Sequence, residues 1–144
     1  MRKMEIKELK TKTELLSAFP VMKQLRTHLD ESSYLALVKE AAEKDSYRLF
    51  ALLEEGKIIA VTGFKPMITL YYGRFVWICD LVTAEDRRSR GYGEKLLTFV
   101  QEWAQAHGYE STALSSGLQR EAAHRFYENK MAYQKASYVF KKDL

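Results

Sequence analysis

The stretch Arg88-Ser89-Arg90-Gly91-Tyr92-Gly93 decides how this chain is read. Just upstream lies Val76-Trp77-Ile78-Cys79-Asp80-Leu81-Val82-Thr83, rich in β-branched and aromatic residues and strand-like in pattern. Downstream, Glu94-Lys95-Leu96-Leu97-Thr98-Phe99-Val100 reads as helix. Two glycines one residue apart, set among arginines between a strand and a helix, suit an anion. The first N–H groups of a helix have no partner inside it, and the helix dipole adds a positive end. Glycine lets the backbone approach a phosphate with no Cβ in the way. Taken alone, the stretch is equally well a tight turn carrying solvated arginines.

Working outward from this loop, the spacing predicts a complete order of elements. Met4 to Leu9 alternates as a first strand. Leu15, Phe19, Met22, Leu25 and Leu29 recur at helical spacing, with Pro20 expected to split them into a turn and a helix beginning near it. Asp30 to Ser33 reads as loop and N-cap for a second helix whose apolar face is Tyr34, Leu37, Val38 and Ala41. Tyr47 to Leu53 and Ile58 to Phe64 are strands joined by a turn at Glu54-Glu55-Gly56-Lys57, the second strand able to continue past Pro66 to Leu70. Tyr71-Tyr72-Gly73-Arg74 turns the chain into the strand before the glycine loop. After it come a helix over Tyr92–His107 ended by Gly108, a strand at Ser111–Leu114, a helix over Gln119–Asn129 and a final strand at Tyr133–Phe140. Short turns make the early strands antiparallel, and the later strand–helix–strand step needs a parallel crossover. The expected fold is therefore α/β: a mixed central sheet, antiparallel meander plus parallel crossover, with helices on both faces.

At 144 residues the chain has the length of one domain, and residues 1–144 are read as such. Its excess of four positive charges fits an anionic ligand without arguing for nucleic acid, and no aromatic platform accompanies the arginines. The single cysteine excludes an internal disulfide, and three scattered histidines offer no metal-ligand spacing. The N-terminus lacks the apolar core of a signal peptide, and no apolar run approaches a membrane span. The expectation is a cytoplasmic protein with no metal, no membrane and no nucleic-acid partner.

The element order, together with Arg88-x-x-Gly91-x-Gly93, resembles the GNAT superfamily of acetyl-CoA-dependent N-acetyltransferases. A second match is Ala123-His124-Arg125-Phe126-Tyr127-Glu128, similar to the family's penultimate helix. The resemblance covers most of the chain from about Tyr47 onward. It implies a coenzyme site made of Arg88, Ser89, Arg90, Gly91, Tyr92 and Gly93 around the pyrophosphate, with Arg87 adding charge nearby. It further implies that the pantetheine arm of acetyl-CoA lies along Leu81, Val82 and Thr83 as a partial extra strand. A backbone N–H near Leu81 or Val82 then polarises the thioester carbonyl, a kind of contact typically worth about 2.7–4 kcal/mol. The same resemblance assigns the general acid that protonates the leaving thiolate to Tyr127.

The base stays open. Asp80 is a tentative candidate because it lies beside the reaction centre, Glu54 and Glu55 sit near a turn, and His124 shares a helix face with Tyr127. A water chain can serve instead. Two departures from the family pattern stand out. Arg120 occupies a position where asparagine is common, and Ala132 stands where glycine is common, in a segment one residue longer than usual. The function implied is direct transfer of acetyl to a primary amine, a small molecule before a protein. A non-catalytic acyl-CoA-binding or regulatory module and a protein lysine or N-terminal acetyltransferase are the alternatives. Assembly as a homodimer is left open. Tyr34, Tyr71 and Tyr72 are candidates for the acceptor pocket, with core or surface roles as the equal alternative.

Overall fold

The computed structural model describes residues 3–144, which fall into two compact units, the first ending at Ala113 and the second running over 114–144. The first carries a five-stranded sheet in the spatial order β1-β2-β3-β4-β5. Its strands are β1 (Met4–Glu8), β2 (Arg48–Glu54), β3 (Lys57–Thr69), β4 (Gly73–Thr83) and β5 (Ser111–Leu114). The first four pair antiparallel, and β5 adds the parallel pair. The hairpin between β2 and β3 turns on Glu55 and Gly56, both at positive φ (50° and 79°), the pairing of conformations that suits a two-residue turn between twisted strands.

Helices α1 (Lys12–Leu25) and α2 (Glu31–Asp45) pack on one face of this sheet. Leu15, Ala18, Phe19, Val21 and Met22 of α1 and Tyr34 of α2 are buried with Leu49, Ala51, Val61 and Val82. Helix α3 (Tyr92–Ala106) covers the other face, where Leu96 packs on Leu52, Ile59 and Ala60. Phe99 meets Phe50, and Trp103 meets Phe64, at 4.8 and 4.9 Å between ring centres. Helices thus lie on both faces of a mixed sheet.

Pro20 does not start or break the first helix; α1 runs through it. The start is set instead by a capping box, in which Thr11 accepts from the Glu14 N–H and Glu14 accepts from the Thr11 N–H. Pro20 is exposed, so its missing N–H and ring fall on the solvent side. The five buried residues around it outweigh the lost helical hydrogen bond. In α2, Leu37 is 55% exposed, and the inward face is carried by Tyr34, Leu35 and Val38. Strand β3 continues through Pro66, which pairs with Val76, to Thr69.

The second unit holds a short helix α4 (Glu121–Arg125) that passes into a single π turn at Phe126–Lys130. The Met131 N–H reaches the Phe126 carbonyl at 3.1 Å, a bond spanning five residues. Ala132 follows at φ 60°. The residue that lengthens this segment is thus taken up by widening one helical turn, and the alanine adopts the left-handed backbone that glycine would take without strain. The final strand expected at Tyr133–Phe140 does not form: no ladder runs along it, and Tyr138, Val139 and Phe140 are exposed. Alternating side chains make a segment fit for a sheet, but a strand exists only where its N–H and C=O groups meet a neighbour.

Candidate active site

Strand β4 positions most of the site. Its pairing with β3 slips between Gly63–Asp80 and Phe64–Ile78, so Cys79 is an extra residue bulged from β4. Bulges redirect side chains and release backbone groups from the ladder. The carbonyls beside the bulge are satisfied by side chains instead: Thr62 Oγ1 donates to the Asp80 carbonyl at 2.8 Å, and Arg26 Nη2 donates to the Cys79 carbonyl at 2.7 Å. The Cys79 thiol is partly buried, and that burial pushes it up to about 11, which keeps it protonated and unreactive.

The Asp80 side chain faces the α1–α2 side and is only 13% exposed. Arg26, the C-cap of α1, donates from Nε to Oδ1 at 2.9 Å, and the Tyr47 hydroxyl donates to Oδ2 at 2.6 Å. Burial, then the neighbouring Asp80 charge, hold the Tyr47 phenol well above its ordinary value, so it stays a donor. Tyr47 reaches Asp80 across Gly63. A Cβ at Gly63 would lie 1.7 Å from the Tyr47 hydroxyl oxygen. Neither Arg26, Tyr47 nor Gly63 stands out in the sequence. Arg26 looks like any helix-end cation, and only the fold brings it 54 residues along the chain to Asp80.

Beyond Asp80, Leu81, Val82 and Thr83 pair with Thr62, Val61 and Ala60 of β3. On the other side of β4 the sheet continues only with β5, four residues against eleven. The residue before β5, Glu110, donates its N–H to the Arg74 carbonyl, so β5 runs beside the first half of β4. Among the described residues, no strand lies beside β4 on that side at Leu81–Thr83.

The chain then makes a 3-10 turn at Glu85–Arg87 and enters the glycine loop. Ser89 (φ 65°) and Gly91 (φ 84°) are left-handed, and Gly91 is the N-cap of α3. Glycine there provides no side chain, and no side-chain hydrogen bond caps this helix start, so the Tyr92 and Gly93 N–H groups have no partner inside the helix. Arg88 and Arg90 are both exposed beside it, with Arg88 Nε within 3.5 Å of the Thr83 carbonyl. Arg87 is not available to a ligand. It pairs with Glu54, which is 7% exposed, and the Tyr92 hydroxyl donates to the second Glu54 oxygen at 2.9 Å. Glu54 thereby ties both ends of the loop to β2. A groove of about 660 Å³ between β1 and α3 reaches Gly91, but Glu5, Glu94 and Glu102 in its walls against Lys95 suit no anion.

Tyr127 lies in the second unit, on the π turn, with its ring 5.3 Å from Phe126 and 6.0 Å from Tyr133. Burial raises its hydroxyl from the ordinary tyrosine value, opposed by Arg120 and assisted by Tyr133, so it is a neutral donor. His124 Nε2 donates to the Gly117 carbonyl at 2.8 Å, a bond that occupies it in holding the turn before α4. Glu55 accepts the Lys3 N–H at 2.5 Å. Tyr34 is a core residue whose hydroxyl donates to the Leu15 carbonyl at 2.8 Å, whereas Tyr71 is 79% exposed on the β3–β4 turn, its ring tilted against that of Tyr72.

Comparisons with known proteins agree with this geometry. The acetyltransferase (GNAT) family model matches residues 11–133. An uncharacterized N-acetyltransferase of Bacillus subtilis (strain 168) is 44% identical over 137 residues, covering 95% of this chain and 96% of the relative. The aminoalkylphosphonate N-acetyltransferase of Salmonella typhimurium is 30% identical over 99 residues, 68% of this chain and 62% of that protein. The crystal structure of aminoglycoside N-acetyltransferase AAC(6')-Iy in complex with CoA shares the fold at TM-score 0.86 and 18% identity, over 99% of this chain and 96% of that one. An uncapped helix start after a bulged strand, on a chain matched by this family model over most of its length, has one reading: the protein belongs to the acetyltransferase (GNAT) family and is an acetyl-CoA-dependent N-acetyltransferase.

Proposed function

We propose that this enzyme transfers acetyl directly from acetyl-CoA to the primary amine of a small molecule. The observation that carries the donor half is the pairing of a strand edge at Leu81–Thr83 that has no described strand beside it with the uncapped α3 start at Gly91. The first is a hydrogen-bonding strip for the amides of the pantetheine arm. The second is a set of N–H donors for the pyrophosphate, with Ser89, Arg90, Tyr92 and Gly93 around it and Arg88 supplying charge.

In the reaction a nitrogen–carbon bond forms and the carbon–sulfur bond of the thioester breaks. The amine gives up a proton, and the leaving thiolate takes one. A β4 backbone N–H at Leu81 or Val82 stabilises the oxyanion. Tyr127, protonated at neutral pH, donates to the thiolate. Asp80 draws the acceptor's ammonium toward the bulge and, directly or through water, receives its proton. The small-molecule acceptor is supported by the relatives, whose names specify aminoalkylphosphonates and aminoglycosides.

Purified protein should melt at a higher temperature with acetyl-CoA, since a ligand of the folded state stabilises it. No shift at millimolar coenzyme overturns the donor site. Release of CoA thiol across aminoalkylphosphonates, amino acids, polyamines, aminoglycosides and peptides tests the acceptor; activity on peptides alone favours a protein acetyltransferase. Tyr127→Phe should lower turnover on the order of 100-fold while coenzyme affinity holds. Unchanged turnover removes Tyr127 from the mechanism.

A further inference from the structure

We propose that Tyr47 and Arg26 are positioning residues that hold the Asp80 carboxylate at the β4 bulge toward the acceptor amine, and that Gly63 is the gap through which Tyr47 reaches it. The inference rests on the reading of Asp80 as the group that serves the acceptor. It stands on geometry confined to the first unit. Each Asp80 oxygen accepts one hydrogen bond, at 2.9 Å from Arg26 and 2.6 Å from Tyr47. The Asp80 carbonyl is fixed separately by Thr62, and the Cys79 carbonyl by a second nitrogen of Arg26. Both ends of the residue are therefore held, by groups from the end of α1, the segment before β2 and β3.

The two partners differ in kind. Tyr47 is a fixed donor, packed where no Cβ fits at Gly63 and embedded in the α1–α2 core. Arg26 is 39% exposed at the end of its helix, and it leaves guanidinium edge toward solvent. The surrounding charged or ionisable groups are Tyr34 from α2, Cys79 on β4, and Lys65 on β3, which is itself paired with Asp45 at 3.4 Å. Arg26 is thus the cation that directly balances Asp80. The more buried partner fixes the carboxylate's direction, and the more exposed one supplies the balancing charge.

The test is a pair of double-mutant cycles, one in turnover and one in stability. Tyr47→Phe removes one donor at nearly constant shape. It should lower kcat/KM for the amine on the order of tenfold and leave KM for acetyl-CoA unchanged. In an Asp80→Asn background the same change should do nothing further, because Tyr47 acts through Asp80. Arg26→Lys should recover most of what Arg26→Gln loses, and Gly63→Ala should mimic Tyr47→Phe. A Tyr47→Phe effect equal in both backgrounds, or one that falls on KM for acetyl-CoA, overturns the proposal. The stability cycle between the same two positions needs no substrate, and additive losses there overturn it as well. Failure of wild-type protein to release CoA with any amine overturns the acetyl-transfer reading instead, and the stability cycle tells the two failures apart.

Discussion

A buried carboxylate and a partly buried one face opposite sides of one sheet, and each accepts from one arginine and one tyrosine. Glu54, at the end of β2 on the α3 side, takes Arg87 and Tyr92. Asp80, at the bulge of β4 on the α1–α2 side, takes Arg26 and Tyr47. The chemistry of the two clusters is alike, but their surroundings are not. Arg87 is 19% exposed and lies within the loop segment it anchors, whereas Arg26 is 39% exposed and comes from a helix end. At Glu54 both partners belong to the chain entering and leaving the glycine loop, so the cluster is a clamp on the coenzyme side. At Asp80 the partners come from elements that have no part in that loop, and the carboxylate is the one we propose to serve the acceptor amine. On that proposal the same trio of groups serves rigidity in one place and orientation in the other.

The comparison can be broken most strongly at Glu54. Glu54→Ala removes the buried carboxylate that the partly buried Arg87 and the Tyr92 hydroxyl share, leaving Arg87 only Asp86 at 3.7 Å; this is expected to cost about 3 kcal/mol in urea unfolding, and it should weaken acetyl-CoA binding. Coenzyme affinity equal to wild type would mean that Glu54 does not hold the loop. Asp80→Ala should cost less, about 1–3 kcal/mol, because Arg26 can turn to water and the main loss is the orphaned Tyr47 hydroxyl. Its acetyl-CoA affinity should stay that of the parent. The two losses should add to within about 0.5 kcal/mol if the clusters are independent, as groups on opposite faces with no shared partner are expected to be.

Smaller changes sharpen the contrast. Gly91→Ala meets no atom within 4 Å, so its expected cost of about 1 kcal/mol is backbone strain at φ 84° alone. It should lower coenzyme affinity and spare the Asp80 cluster. Ala132→Gly should do the reverse to stability, raising it by about 0.4–1 kcal/mol, read as a higher melting temperature. The least effect is expected at the far end of the helix that carries Arg26. Backbone N–H donors from Thr11 and Lys10, with Lys7, hold the Glu14 carboxyl down at about 2, below its ordinary 4.5. A depressed folded value means stabilisation that is present above pH 4.5 and lost as the pH falls toward 2. Glu14→Gln should flatten the acid limb of the stability profile slightly without altering kinetics at neutral pH.

Much of this was legible in the sequence because it depends on local pattern. The strand–glycine–helix run at Val76–Val100, the hairpin at Glu55–Gly56 and the cap at Asp30 are each set by neighbouring residues. The extra residue before Tyr133 was visible as a length, and the structure converts it into a π turn with Ala132 left-handed. Two readings failed where a distant contact outweighed a local preference. Pro20 was expected to break a helix that packing and the Thr11 cap carry through, and Tyr133–Phe140 was expected to be a strand although alternation cannot supply a ladder partner.

The sequence by itself determined the family, the order of elements as far as the last helix, and the glycine loop between strand and helix, since these rest on residue types close together along the chain. Only the tertiary structure decided which charges are available for chemistry. It withdrew Arg87 into a clamp with Glu54, and it set Asp80 between Arg26 and Tyr47, which stand 54 and 33 residues away in sequence. A pattern along a chain fixes local hydrogen bonding and burial, whereas the environment of an ionised group is set by whatever the fold brings within a few ångströms of it.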